Sequence, residues 1–452
     1  MNFQKPRIDI EKYAEALRRD TSLPVLARGR VRKVIGMVVK ARLPNARMGE
    51  LCTIEPVGRP IIRAQVVGFD DDDVYLTPLD PLDEIGPKTL VVDRGESLRV
   101  PVGAELLGRV LDSMGNPIDG KGSITPETYY PMKNTAPKAL DRKRISEILP
   151  LGVRSIDMLF TVGKGQRIGV FSTAGVGKSS LLGMAARNST ADVNVVALVG
   201  ERGREVRDFL EENLGEEGLK KSVVVVSTSD EPPLRRIMAS YAATAIAEYF
   251  RDRGSEVLLF MDSLTRFARA LREIALSVGE LPARQGFPPS VFGALPELVE
   301  RTGNSSQGSI TAIYTVLLSS EQIDDPLGEE IRAILDGHIV LSSRLAHAEH
   351  YPAVDVLASN SRLMEQIITP EHRLLAERIR KTWGLYEENR DLISLGAYKR
   401  GADARIDEAI DMQGAITEFL VQRQDENESL EVTREKARAL FVKSVETRNQ
   451  RK

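Results

Sequence analysis

One short string constrains this chain more than any other. Ser172-Thr-Ala-Gly-Val-Gly-Lys-Ser179 follows the apolar run Gln166–Phe171 and opens a helical pattern. A strand that turns through small residues directly into a helix aims several backbone N–H groups, and the positive end of the helix dipole, at one point in space. A phosphate group needs that arrangement. Lys178 adds a point charge for the outer phosphate oxygens, and the Ser179 hydroxyl is a hard ligand for Mg2+. Thr173, Ala174, Gly175, Val176 and Gly177 supply the turn, and Ser180 follows Ser179 into the helix, so residues 173–180 are the candidate nucleotide cradle. The pattern ordinarily has glycine where Ser172 stands; the kernel of Gly175, Gly177, Lys178 and Ser179 is intact. A glycine-rich turn with an exposed lysine, the bland alternative, leaves the flanking strand and helix unexplained.

Such a loop belongs at the end of a parallel strand, and the chain supplies more of them. Val193–Val199, Ser222–Ser227, Glu256–Met261 and Ser309–Leu318 read as apolar strands. They alternate with helical patterns at Ser179–Arg187, Glu205–Leu214 and Leu234–Arg253. The alternation predicts an α/β core, a mostly parallel sheet with helices on both faces. One strand runs into Asp262, matching the carboxylate that holds Mg2+ through water in phosphate-transfer sites. Another runs into Gly200-Glu-Arg-Gly-Arg-Glu205. Parallel strands end on a shared edge, so Glu201 and Asp262 can face the crevice of Lys178. Glu201 is then placed to polarise a water, and Arg202 beside it joins the catalytic candidates. Taken singly, an Asp at a strand end is an ordinary turn starter, and the Glu-Arg string is an ordinary surface ion-pair cluster. The preceding phosphate loop is what gives them meaning.

The flanks are different in kind. Residues 26–100 offer short β-branched runs broken by Gly, Pro and Asp, which predicts a small closed barrel. The acidic run Asp70–Asp73 within it reads as a solvated turn rather than a cation site. Beyond about Thr369 no strand pattern remains, and Glu371–Trp383, Arg405–Arg423 and Leu430–Arg448 read as helices. Near the start, Ile10, Tyr13, Ala14 and Leu17 form an apolar stripe at helical spacing. Lys plus Arg total 62 against 65 Asp plus Glu, a net charge of −3, which disfavours a general nucleic-acid or polybasic membrane binder. Arg202–Arg207 and Arg235-Arg236 carry adjacent acids and no interleaved aromatics, so no nucleic acid is expected as a partner. No apolar run approaches a membrane span and Met1–Asp20 is charged throughout, so a soluble cytoplasmic chain is expected. Cys52 is the only cysteine, which excludes an intrachain disulfide. His347 and His350 lack the further His or Cys a metal centre needs, and His338 and Trp383 read as packing residues.

Longer strings carry a resemblance. They include Gly165-Gln-Arg-Ile-Gly-Val-Phe, Ala191-Asp-Val-Asn-Val-Val-Ala-Leu-Val-Gly-Glu-Arg-Gly-Arg-Glu-Val, Met261-Asp-Ser-Leu-Thr-Arg-Phe-Ala, Pro288-Pro-Ser-Val-Phe and Ile334-Leu-Asp-Gly-His-Ile-Val-Leu-Ser. From about residue 26 to beyond 410 the chain resembles the ATPases of flagellar and type III protein export, relatives of the catalytic subunits of rotary ATP synthases. The resemblance implies a RecA-like core with ATP and Mg2+. It also implies four segments: 1–25 helix and linker, 26–100 barrel, 101–370 ATPase core, and 371–452 helical domain. Tyr351, in His350-Tyr-Pro-Ala-Val-Asp, matches the aromatic that stacks on adenine. Arg362, in Ser359-Asn-Ser-Arg, matches an arginine that reaches into a neighbouring subunit's site. The implied partners are five further copies in a homo-hexamer, a stator protein at the N-terminal helix, a central stalk protein, chaperone–substrate complexes and an export gate. The implied location is peripheral, at the cytoplasmic face of the inner membrane. Asn360 departs from a usually apolar neighbour of the finger, and Ser319-Ser-Glu-Gln322 stands where the family has a more acidic stretch. Three competing readings are a subunit of a proton- or sodium-translocating rotary ATPase, an RNA-translocating hexamer, and a non-catalytic nucleotide-binding subunit. Gly203 and the loop 279–290 count against the first. A barrel segment offering mainly Phe69 and Tyr75 counts against the second, and the joint presence of Lys178, Glu201, Asp262 and Arg362 against the third.

Overall fold

The computed structural model describes residues 26–82, 85–318 and 325–450, with side chains as far as Phe441. The N-terminal stripe and Ser319–Gln322 lie outside the described residues. The chain forms two compact units that part between Leu98 and Arg99.

In the first unit, six strands close into a barrel: Arg28–Ile35, Val38–Arg42, Glu50–Glu55, Ile62–Asp70, Asp73–Pro78 and Leu90–Ser97. Closure comes from Arg28, Gly29 and Arg30 pairing antiparallel with Val92, Val91 and Leu90. Alternate residues such as Val39, Ala41, Cys52, Ile54, Ala64, Val66 and Leu76 fill the interior, the period of two expected of strands buried on one face. The acidic run makes the turn between the fourth and fifth strands. There Asp72 pairs with Arg42 at 2.8 Å, Asp73 with Arg32 at 3.1 Å, and Asp70 with Lys40. The turn is salt-bridged rather than simply solvated, and Asp73 is buried.

The second unit is built on a nine-stranded sheet. Its main path runs Asn360–Ser361, Gly337–Val340, Arg167–Ser172, Ser309–Leu317, Glu256–Asp262, Val193–Glu201, Ser222–Thr228 and Arg109–Asp112. All the longer pairings are parallel; only the two-residue strands Gly303–Asn304 and Asn360–Ser361 run antiparallel. Val193–Glu201 is buried at every position, which is why its sequence reads as a continuous apolar run rather than an alternating one. Helices cover the faces and begin where capping chemistry says they should. Ser263 accepts the backbone N–H of Arg266 ahead of Leu264–Ser277, and Pro233 stands in the first turn of Pro233–Asp252. Three helices close the chain: Pro370–Ser394, Ala404–Leu420 and Leu430–Gln450, with Thr369 and Asp403 capping the first two.

Two helices differ from expectation. The pattern at Glu205–Leu214 is not one α-helix: Gly203–Asp208 leads into a π turn at Phe209–Leu214, followed by Gly215–Lys220. The i to i+5 spacing of a π turn lets Phe209 and Leu214 both point inward while Glu211 and Glu212 stay in solvent. Pro370–Ser394 also runs well past Trp383, straight through Gly384. A glycine in a helix costs about 1 kcal/mol relative to alanine, and the buried face of Ala376, Ile379 and Trp383 offsets it.

Candidate active site

The parallel register gathers the candidates on one edge. The strand Arg167–Ser172 runs into the loop and the loop into the helix Lys178–Asn188. Gly177 takes φ 87°, the left-handed region where a side chain is strained, and an added Cβ would stand 3.2 Å from the Tyr351 ring. Glycine is therefore required there both by conformation and by space. Ser172 is different. It ends the strand, its carbonyl accepts the Leu318 N–H at 2.8 Å, and it is not among the residues with positive φ, so serine serves where the pattern has glycine.

Lys178 Nζ donates to Asp262 Oδ1 at 2.5 Å and lies 3.8 Å from Glu201 Oε1. Met261 pairs with Tyr314 across the sheet, which brings Thr315 alongside Asp262, and the Thr315 hydroxyl donates to the same Oδ1 at 2.7 Å. Asp262 is 3% exposed, so it is a buried carboxylate held between a lysine and a hydroxyl. Glu201 follows Gly200, which takes φ 69° at a bulge in the strand; a Cβ on Gly200 would come within 2.9 Å of Arg266 Cδ. Arg266 reaches Glu201 at 3.2 Å. Burial pushes the Glu201 carboxyl up to about 7; the charge of Asp262 and the hydrogen bond to Glu205 act in the same direction, and Lys178 and Arg266 oppose them. Glu205 is itself held below the usual carboxylate range, chiefly by that hydrogen bond. The two carboxyls are thus shifted in opposite directions, Glu201 up and Glu205 down. Such an arrangement can take a proton near neutral pH, as water activation demands.

The remaining candidates are placed as follows. Val176 is buried, Ala174, Gly175 and Ser179 are exposed at the mouth, and the Thr173 hydroxyl bonds Ser343 at 2.9 Å. Ser180 Oγ accepts from Gln424 at 2.9 Å. Tyr351 lies against Gly177 with its ring half-buried. Two candidates are not brought to the cluster. The Arg202 guanidinium is 75% exposed and pairs with Glu205 at 3.3 Å, because Arg202 is already the N-cap of the next helix. Arg362 sits at the sheet's edge, one strand beyond the neighbour of Arg167–Ser172, exposed, with Nη2 donating to the Arg332 carbonyl at 3.2 Å. Arg266, Glu205 and Thr315 were not singled out from the sequence. Arg266 was visible in the Asp262-Ser-Leu-Thr-Arg string, one helical turn past the strand end; Thr315 emerges only from register.

The chain is similar to known proteins over most of its length. The model of the ATP synthase alpha/beta family nucleotide-binding domain matches residues 152–361, and that of the EscN-type secretion ATPase C-terminal domain matches 368–438. The flagellum-specific ATP synthase of Bacillus subtilis is 49% identical over 89% of this chain and 92% of its own length. The type 3 secretion system ATPase of Xanthomonas euvesicatoria is 50% identical over 90% and 92%. The structure of the assembled ATPase EscN from enteropathogenic E. coli superposes with a TM-score of 0.87 at 44% identity, covering 91% of this chain and 99% of that one. The chain belongs to the family of flagellar and type III secretion ATPases. It is an ATPase with the barrel, mostly parallel core and helical C-terminus expected of it, and the matches favour the export branch over an ion-translocating rotary subunit.

Proposed function

We propose that ATP hydrolysis by this chain energises protein export through a flagellar or type III apparatus, releasing and unfolding chaperone-bound substrates. The observation that carries the chemistry is the meeting of Lys178, Asp262 and Glu201 at the loop's edge of the sheet. Lys178 stabilises charge on the outer phosphates, the cradle's N–H groups hold them, and Glu201 orients and deprotonates the attacking water. Tyr351 stacks on the base. Ser179 and Asp262 are both hard oxygen donors, and the buried Asp262 carboxylate already takes a cation, Lys178 Nζ, as its counter-charge, so the pair fits Mg2+. When bound, that ion would neutralise phosphate charge. Arg362, remote from its own cradle, acts on a neighbour's nucleotide, which requires a ring; EscN is described as assembled, and in complex with its central stalk EscO. We assign the chain a homo-hexamer meeting a stalk through residues 371–452, a stator through 1–25, and the export gate and cargo at the inner membrane. Residues 26–100 and 101–370 are the barrel and catalytic segments of that ring. Among the described residues no helix is long and apolar enough to cross a membrane.

The test is a purified chain assayed for phosphate release and size in parallel, with a Lys178→Ala strain assayed for secretion. Absent ATP hydrolysis in assembled rings, or normal secretion with Lys178→Ala, overturns the reading.

A further inference from the structure

Between the helices Ala404–Leu420 and Leu430–Gln450 runs a linker without regular structure. Loops of this kind ordinarily keep their polar groups in water. This one is fastened to the core by Arg154, whose side chain is 5% exposed. Its Nη1 donates to the carbonyls of Phe419 at 2.9 Å and Val421 at 3.0 Å. Its Nη2 donates to Glu426 at 3.0 Å and Glu428 at 2.5 Å, and its Nε donates to Glu428 at 3.1 Å. Every N–H of the guanidinium is engaged, the full capacity of its fixed fork.

The fastened linker reaches both walls of the nucleotide cradle. Gln422 is buried: it donates to the Gly152 carbonyl at 2.9 Å and accepts the Arg154 N–H at 2.7 Å, and its own backbone N–H bonds the Tyr351 carbonyl at 2.9 Å. Two residues on, Gln424 Nε2 donates to Ser180 Oγ at 2.9 Å, and Arg187 Nη2 holds the Gln424 carbonyl at 2.6 Å. Ser180 lies two residues beyond Lys178, and the Tyr351 ring rests on Gly177.

We propose that Arg154 is a positioning residue for nucleotide binding: by fixing residues 421–428 it sets Ser180 through Gln424 and Tyr351 through Gln422. The inference rests on reading residues 173–180 as the nucleotide cradle. Without the guanidinium, Glu426 loses its ion-pair partner, Glu428 keeps Lys436 but loses its tie to the core, and the linker is released from Arg154. The helices on either side keep their own buried residues, including Met412, Ile416 and Ala437, so the fold persists. Because coupling is reciprocal, a nucleotide in the cradle must in turn tighten the linker.

The test uses the full chain with Arg154→Gln, Arg154→Lys and Gln424→Ala. A fluorescent ATP analogue reports affinity, steady-state assays separate KM from kcat, and hydrogen exchange follows residues 421–428. Arg154→Gln should raise KM by at least about fivefold, the low end of ordinary coupling between sites, while kcat moves far less, and Arg154→Lys should recover part of the loss. Gln424→Ala, which removes an exposed side chain, should raise KM without changing the unliganded melting temperature; it decides the matter if Arg154→Gln does not fold. In the unaltered chain the analogue should slow exchange across the linker. Unchanged affinity in the variants, or exchange indifferent to saturating analogue, overturns the proposal. An unaltered chain that binds no analogue overturns the reading of the cradle instead.

Discussion

Lys178 Nζ lies 2.5 Å from Asp262 Oδ1 and 3.8 Å from Glu201 Oε1, so one cation stands against two buried carboxylates. Arg266, 3.2 Å from Glu201, is the second cation of the cluster. Asp262, nearer to Lys178 and also bonded by Thr315, takes the counter-charge, and burial leaves Glu201 with its proton up to about 7. In the proposed mechanism a phosphate arriving in the cradle would compete with Asp262 for the lysine, which would link substrate binding to the protonation of Glu201.

Lys178→Ala removes the charge from both the phosphates and the carboxylates. Turnover should fall by about 10²-fold or more, the cost of losing one preorganised charge donor, and ATP affinity should fall with it. Equilibrium binding and phosphate release on the same preparation check this; undiminished affinity would take Lys178 out of the cradle.

Glu201→Gln keeps the volume and removes the base. ATP should bind and persist, with turnover reduced by about 10²–10⁴-fold. Stability should move the other way. Glu201 is raised from 4.5 to about 7 in the fold, so its contribution is complete below 4.5 and is lost as pH rises through about 7. At pH 8 the unliganded variant should be more stable than the unaltered chain by about 1–2 kcal/mol, with the gap closing toward pH 4; melting curves at both values measure it.

Glu205 adds to that shift, after burial and the charge of Asp262. For the unaltered enzyme, kcat/KM should climb as pH rises through about 7, since Glu201 must be ionised to act. Removing the hydrogen bond with Glu205→Ala should carry the acid limb to lower pH. A profile that stays in place shows that Glu205 does not tune the base.

Much of this is legible in the amino-acid sequence itself. Gly175-Val-Gly-Lys-Ser179 and the apolar runs ending in Glu201 and Asp262 are local signals, and a parallel sheet has one edge where their ends can meet. Thr315 was hidden because its role comes from the register of two strands more than fifty residues apart in sequence. The π turn at Phe209–Leu214 was hidden because one extra residue in a turn is hard to tell from an α-helical pattern over so short a span. Arg202 looked catalytic by adjacency, but the N-cap backbone that follows Glu201 sends its side chain to solvent. Arg362 became a candidate only through resemblance, since no pattern within one chain announces a role proposed to lie in another.

Arg362 gives the sharpest test of assembly. Alone, Arg362→Ala should lose about 10³–10⁵-fold in turnover, the scale of an arginine finger, and Lys178→Ala should be inactive. Mixed rings should recover part of the activity at interfaces pairing an intact cradle with an intact Arg362. No recovery in rings shown to have exchanged subunits rules out action across the interface.

Glu248 and Arg301, 0% and 1% exposed, form a two-pronged pair at 2.9 and 2.8 Å far from the cradle. Arg301 also holds the Met132 carbonyl at 2.7 Å. Glu248→Ala strands the buried guanidinium and should cost about 3–5 kcal/mol in denaturant unfolding of this unit, while replacing both residues with methionine should cost much less. Equal losses from the single and double changes would show that the pair is not coupled.

The barrel's closure has a consequence of its own. Each of its six strands has a neighbour on both sides, so it offers no open ladder of N–H and C=O groups to a passing chain. In the proposed ring, copies of the chain crowd together and would run a standing risk of fusing strand to strand. Here that route is shut before assembly begins. Any contact between barrels must be made by side chains and turns, which can be broken and remade as subunits come and go.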